Sequence, residues 1–347
     1  MSPPPAAAIE PSLGGLPLAS ASPGLSSAAT ASPSALHETQ LRRQAFAAVV
    51  LAAMCIGFSA PLVRLADAGP ASIGFWRLFF ALGPAVVWAY AEHRSRLRQA
   101  RLAGATALRP SLRQVLLAML AGVFFGADLI VFHKGLALTS TANALLLGNL
   151  AVVFVFVFGW LILRERPTRG LLIALVLALA GTFIIIGSSA VGAPHAGSRP
   201  VSVIGDLLCV GAALAYAGYM LVTRAVRRAG RGDAVPLGGG MVSLVASATG
   251  AVVCLGWAVV NGEVLVPQSL QGLLAVIGLG LIAHATGQGL ATFALGRLPA
   301  GVISVVLLLQ IVVGTSLAAL LFGEVPSLVV LAGGLLVVAG VTTARPN

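Results

Sequence analysis

The stretch LILRERPTRG, residues 161–170, closes a long apolar run with an Arg-Glu-Arg-Pro knot, and LLFGEVPSLV, residues 320–329, closes another with Glu-Val-Pro. Glu165 and Glu324 each stand two residues before a proline, in a chain that holds only ten acidic residues. Their separation is 159 (324 − 165). Shifting the second half back by that offset lays Pro326 on Pro167, Ala339-Gly340 on Ala180-Gly181 and Leu295 on Leu136. The offset describes a unit that occurs twice.

What that unit is follows from composition. Of 347 residues, 58% are hydrophobic and 9% charged, and the mean hydropathy is +1.00. A water-soluble chain of this length could not cover itself with so little polar surface. An apolar helix of about 20 residues crosses the hydrocarbon core, and ten apolar runs qualify: 45–66, 71–91, 114–136, 141–163, 169–188, 204–223, 237–260, 270–294, 299–321 and 327–344. The expected fold is an all-α polytopic membrane protein with ten transmembrane helices. The net charge of +11 fits loops that face an anionic membrane surface, and no nucleic-acid partner is expected. Cys55, Cys209 and Cys254 all fall in apolar spans, and an odd count there argues against a disulfide framework.

Residues 1–44, rich in Pro, Ala, Ser and Gly, cannot bury enough apolar surface to fold and are expected to form a disordered cytoplasmic tail. Residues 45–190 and 203–345 make the two repeats. With the N-terminus inside, the inner segments hold seventeen Lys and Arg and the outer loops only Lys134 and Arg199. That asymmetry places both termini in the cytoplasm. Five spans per repeat is an odd number, so the two copies lie in the membrane in opposite senses. Inverted five-helix repeats of this kind characterise secondary transporters, with the substrate site near the midplane. Glu165 then ends its helix on the inner face and Glu324 on the outer face, as helix-end markers or gate contacts. A carboxylate at a helix C-terminus opposes the macrodipole, and Arg164, Arg166 and Arg169 are the neighbours expected to offset it at Glu165.

Several segments carry a family likeness: GFWRLFFA in span 2, GLALTSTANALLL leading into span 4, GWLILRERP closing it, GDLLCVGAALAYAGYMLVTRAVRR in span 6, and ALGRLPAGVISVVLLLQIVVGTSLAALLFGEVP across spans 8 and 9. Taken in order over residues 45–345, they resemble the EamA family of the drug/metabolite transporter superfamily. The resemblance implies a gradient-driven exporter or importer of small metabolites. Spans 1, 3, 4, 6, 8 and 9 would line its cavity, and spans 5 and 10 would be peripheral. The family pattern has a proline early in spans 4 and 9; Val152 and Ile311 stand there, which implies straighter helices.

The polar residues inside the spans are few, and each charge there needs a partner or a wet cavity. Asp128 in span 3 and Arg77 in span 2 lie at matched depth, an ion pair or a proton-coupling site. Arg77 belongs to the family-like segment; Asp128 does not. His284 and Gln288 share one face of span 8. Together with Asn149 in span 4, Tyr216 in span 6 and Gln310 in span 9 they are the candidates for a substrate pathway, against the plainer role of hydrogen-bonding groups between helices. Gly122 and Gly126 form a GxxxG pair that favours close helix packing.

An intramembrane aspartyl enzyme would need a second deep aspartate, and no metal cluster or glycine-rich phosphate loop is legible. The expected function is therefore a secondary active transporter, an exporter rather than an importer on the resemblance, moving a small metabolite or drug across the inner (plasma) membrane by alternating access of the two halves. It needs no cofactor and no metal; its partners are the small-molecule substrate, membrane lipids and protons. A channel or a lipid flippase is the alternative, and the oligomeric state, a homodimer included, stays open.

Overall fold

The computed structural model describes residues 33–102, 111–138, 147–191, 202–228, 237–322 and 328–344, and all regular structure among them is helical. Glu324 and residues 1–32 of the expected tail lie outside the described residues, as do 141–146 at the start of span 4. The first repeat contributes α1 (Pro33–Gly57), α2 (Ser59–Leu65), α3 (Pro70–Leu102), α4 (Leu112–Leu138), α5 (Ala151–Leu163) and α6 (Arg169–Val191). The second contributes α7 (Val203–Arg228), α8 (Gly239–Val260), α9 (Leu270–Gly278), a π-helical stretch Leu279–Gln288, α10 (Gly289–Leu295), α11 (Ala300–Leu307), α12 (Leu309–Phe322) and α13 (Leu328–Thr343). Helix α1 begins well before residue 45. Pro33 fits a first helical position, and the Ala, Leu, Glu, Gln and Arg that follow are good helix formers.

Seven stretches among the described residues are long and apolar enough to cross a membrane; Ala151–Leu163, Arg169–Ile184 and Leu331–Thr343 are apolar but shorter. Large apolar side chains such as Val87, Ile162, Val252 and Leu335 stand on the outside of the bundle, as a lipid-facing surface requires. Small residues fill the interior, among them Ala52, Ala121, Ala178, Ala217 and Ala294, and let helix backbones approach closely.

The two repeats are interleaved. The most extensive contacts, α4 with α7, α6 with α13, α3 with α8 and α4 with α8, each join one repeat to the other. Gly122 and Gly126 of α4 lie against the Ala246 and Gly250 carbonyls of α8, so the GxxxG pair serves a backbone-to-backbone contact. Helices at matching places in the repeats run antiparallel. Gly240 of α8 meets Ala89 of α3 while Cys254 meets Gly74, and Gly181 of α6 meets Val337 of α13 while Gly340 meets Ala174 and Ala178.

Spans 4 and 9 are interrupted, although both lack the family proline. The chain tightens to i→i−3 bonding at Leu150 N–H to Leu147 O and Val152 N–H to Asn149 O, just before α5. The same pattern, Leu308 N–H to Val305 O and Ile311 N–H to Leu308 O, separates α11 from α12. The two interruptions fall at Asn149 and Leu308, the repeat offset apart. A shorter-range bond pattern re-aims a helix without the ring clash that proline supplies. Span 1 also breaks, between α1 and α2.

Two glutamates tie the antiparallel pair α3 and α8. Glu92 near the arginine-rich end of α3 accepts the N–H groups of Gly239 and Gly240, both at 3.0 Å, at the start of α8. Glu263, just past the end of α8, accepts those of Ala71 at 2.8 Å and Ser72 at 3.2 Å at the start of α3. Each carboxylate satisfies otherwise unpaired donors and meets the positive end of a helix dipole. At the same end as Glu263, Asp67 accepts the Gln268 N–H at 3.0 Å. The Ser269 side chain, together with that backbone bond, holds the Asp67 carboxyl below the usual carboxylate range.

Candidate functional site

A polar and aromatic cluster occupies the bundle interior around Phe125 of α4. The Phe125 ring centroid lies 4.8 Å from that of Tyr219, 6.3 Å from Tyr216 and 5.2 Å from His284. The Arg77 guanidinium of α3 stands 5.6 Å from the same centroid. His284 Nε2 and Ser247 Oγ share a hydrogen bond of 2.9 Å, Gln288 Nε2 donates to the Tyr216 hydroxyl at 3.4 Å, and the Tyr219 and Thr292 hydroxyls lie 3.4 Å apart. Five elements, α3, α4, α7, α8 and the segment from the π stretch into α10, converge there.

The π stretch explains how His284 and Gln288 reach the cluster. Its wider turn is accompanied by Thr286 Oγ1 bonding back to the Leu281 carbonyl at 3.0 Å. Gly280 lies against the Arg77 carbonyl and Phe80, and Gly287 against α1 at Ala52 and Ile56. The glycines let the wider helix sit between α3 and α1, and π turns recur at functional sites.

Of the sequence-predicted site residues, the structure gathers Arg77, Tyr216, His284 and Gln288, with Asp128 on the same helix as Phe125. No ion pair within 4.0 Å joins Arg77 to Asp128 among the described residues, although the two charges act on each other through space. The pair does not lock α3 to α4 by contact. Asn149 lies in the interruption before α5. Gln310 is the second residue of α12, just after the interruption at Leu308, its backbone carbonyl against Gly57 of α1; no hydrogen bond links Gln310 to the cluster among the described residues. Phe125, Ser247 and Thr292 escaped the sequence reading because apolar rings and small hydroxyls in apolar helices are common. Lys134 packs 4.1 Å over the Trp257 ring.

Glu165 sits at the arginine-rich end of the bundle and is mostly buried. Arg164 leaves α5 with φ 55°, the left-handed conformation of a helix C-cap. That turn swings Glu165 toward the second repeat. Its Oε1 accepts from Arg224 Nε at 2.8 Å and Arg228 Nη1 at 3.3 Å, both on α7, and its Oε2 accepts the Ala300 N–H at 3.0 Å at the start of α11. Arg224 also donates to the Leu295 carbonyl at 2.6 Å. The compensation expected from Arg164, Arg166 and Arg169 comes from α7 instead, and the carboxylate meets the positive end of α11 as well. One side chain thus joins three elements across the repeat boundary. Thr223, fully buried with its hydroxyl unpartnered, lies one turn along α7 from Tyr219, between this bridge and the cluster.

Repeated helices that run antiparallel, long apolar stretches and a polar cluster inside an apolar bundle mark the class of multi-pass membrane proteins. The EamA-like transporter family matches residues 44–187 and again 203–344, and the chain belongs to that family, membrane transporters of the drug/metabolite type. A solved crystal structure shares the fold with a TM-score of 0.64 at 20% identity, over 88% of this chain and 98% of its own. Among curated proteins no significant match is found.

Proposed function

We propose that this protein is a secondary active transporter that exports a small metabolite or drug across the cytoplasmic membrane by alternating access. In this reading ten spans form two inverted five-helix halves with both termini inside. The antiparallel pairs α3–α8 and α6–α13 support the inversion. The Phe125 cluster is the substrate site and Asp128 the proton-coupling group. The observation that carries the reading is the Glu165 bridge, which draws α5, α7 and α11 together; in this reading that end of the bundle faces the cytoplasm.

Access from the cytoplasm then requires the Glu165–Arg224 pair to part. Because the repeats are interleaved, the moving bodies draw helices from both of them. The caps by Glu92 and Glu263 hold α3 and α8 together through the cycle, while α5 and α11 swing about the interruptions at Asn149 and Leu308. Purified protein in proteoliposomes tests this: flux of a candidate metabolite should saturate, show counterflow and follow an imposed pH gradient. Linear, non-saturating flux without counterflow would identify a channel.

A further inference from the structure

We propose that the outward face of α3 binds an anionic phospholipid, its phosphate held by Arg94 and Arg98 and an acyl chain lying along Val87, Gly83 and Phe79. Helix α3 has 33 residues. At 1.5 Å per residue it extends about 50 Å, whereas the hydrocarbon core is about 30 Å thick. The apolar span 71–91 fills that core, so residues 92–102 stand beyond it as an arginine-bearing extension. Arg94 and Arg98 lie about 5 and 10 Å past residue 91, within reach of the headgroup layer.

The two sides of the extension serve different ends. Glu92 accepts the Gly239 and Gly240 N–H groups, and Arg96 reaches Gly238 on the same side. Arg94, Arg98 and Arg101 recur at helical spacing on the opposite side, where with Ser95, Leu97 and Leu102 they border a groove of about 630 Å³. Glu92 is the sole acid in 92–102, and among the described residues no ion pair joins these three arginines to a carboxylate. Arg94 donates to the Tyr90 hydroxyl at 3.3 Å and lies 5.6 Å from its ring centroid, an aromatic contact suited to the membrane–water boundary. Toward the core the same stripe continues through Tyr90, Val87, Gly83 and Phe79. Tyr90, Val87 and Phe79 are 60%, 68% and 45% exposed, and nothing lies within 4 Å of a Cβ built on Gly83. An open apolar strip thus leads into three guanidinium groups that lack carboxylate partners. A soluble anion would leave the strip unused, whereas a phospholipid matches both parts. Guanidinium groups pair well with phosphate. A zwitterionic headgroup brings an ammonium that the three arginines repel, so the anionic class is selected.

Native mass spectrometry of the purified full-length protein tests this, with phosphatidylglycerol and phosphatidylethanolamine of identical acyl chains as probes. The first phosphatidylglycerol should bind roughly 10-fold more tightly than the first phosphatidylethanolamine, since each arginine near an anionic headgroup is worth several-fold. Arg94→Gln with Arg98→Gln should remove that preference. Arg166→Gln with Arg169→Gln takes the same charge from exposed residues near Glu165 and should keep it. Glycerol 3-phosphate should not displace the lipid. Equal binding of the two lipids, or a preference that survives in the first double variant or falls equally in the second, would overturn the assignment. Displacement by glycerol 3-phosphate would also overturn it and name a free phosphate as the ligand. If the first double variant does not fold, Arg98→Gln alone and the wild-type ranking still decide. Lipid binding is the readout throughout, so the outcome is separate from that of the transport reading.

Discussion

Replacing Glu165 with glutamine keeps the shape of the side chain and the acceptor for the Ala300 N–H, and removes the charge. Arg228, with its side chain 52% exposed, contributes little to the bridge. The loss therefore falls on Arg224, whose side chain is 9% exposed. Removing one partner of a buried pair costs about 3–5 kcal/mol, but Arg224 keeps the Leu295 carbonyl at 2.6 Å. A cost nearer the value of one charge-assisted hydrogen bond, about 2–3 kcal/mol, is expected. In the proposed cycle that cost belongs to the inner-closed form only, because parting of the bridge would bring Arg224 to water. The equilibrium should shift toward the inner-open form by roughly 30- to 150-fold. With Thr223→Cys as reporter, in a background without the three native cysteines, maleimide labelling from the cytoplasmic side should rise steeply in Glu165→Gln. Substrate affinity measured from the outside should fall while the intrinsic contacts of the Phe125 cluster stay intact. The charge-swapped pair Glu165→Arg with Arg224→Glu should recover part of the closure. Unchanged labelling in Glu165→Gln would refute the bridge as a closure and leave it a static helix cap.

Asp128→Asn should abolish the dependence of flux on a pH gradient; equal pH dependence in the variant and wild type would dismiss Asp128 as the coupling group. Gly122→Val places side-chain atoms against the Ala246 carbonyl and Thr249 of α8, so α4 must back away at a cost of about 1–3 kcal/mol. Thermal denaturation in detergent should show a drop of several degrees, with Gly83→Ala as the control, since nothing lies near a Cβ built there. Asp67 has its folded pKa depressed, so its tether to Gln268 and Ser269 is fully present above the unfolded value of about 3.9 and is lost as pH falls through the lower folded value. Hydrogen exchange of the Gln268 amide, corrected for intrinsic rate, should therefore stay protected at pH 4 and lose protection only in more acid solution. Asp67→Asn should remove that pH dependence.

The membrane class, the repeat and the crowding of α4 on a neighbour were all legible, because hydrophobic runs, charge asymmetry and a GxxxG pair are local signals. The scarcity of acids led to Glu165, but not to its partners, which lie 59 residues away at Arg224 and 135 away at Ala300. Arg224 read only as one more inner positive charge. The same scarcity could have singled out Glu92 and Glu263, the two acids that follow the matching apolar spans 71–91 and 237–260. His284 and Gln288 were recognised as sharing a face, yet the π turn that carries them depends on Gly280 and Gly287 fitting against α3 and α1, which no periodicity reveals. Proline absence gave no sign of the interruptions at Asn149 and Leu308, which come from backbone bonding that many residues permit.

The reciprocal caps have a consequence for biogenesis. Helix α3 enters the bilayer with the N–H groups of Ala71 and Ser72 waiting for a carboxylate that lies 192 and 191 residues further along the chain. At about 5–20 residues per second of synthesis, Glu263 emerges roughly 10–40 s later. During that interval the nascent first repeat holds an uncapped helix end and faces of α4 and α6 that await the second repeat. A chain halted before Glu263 is thus an orphan for membrane quality control, and the two repeats mature together or not at all.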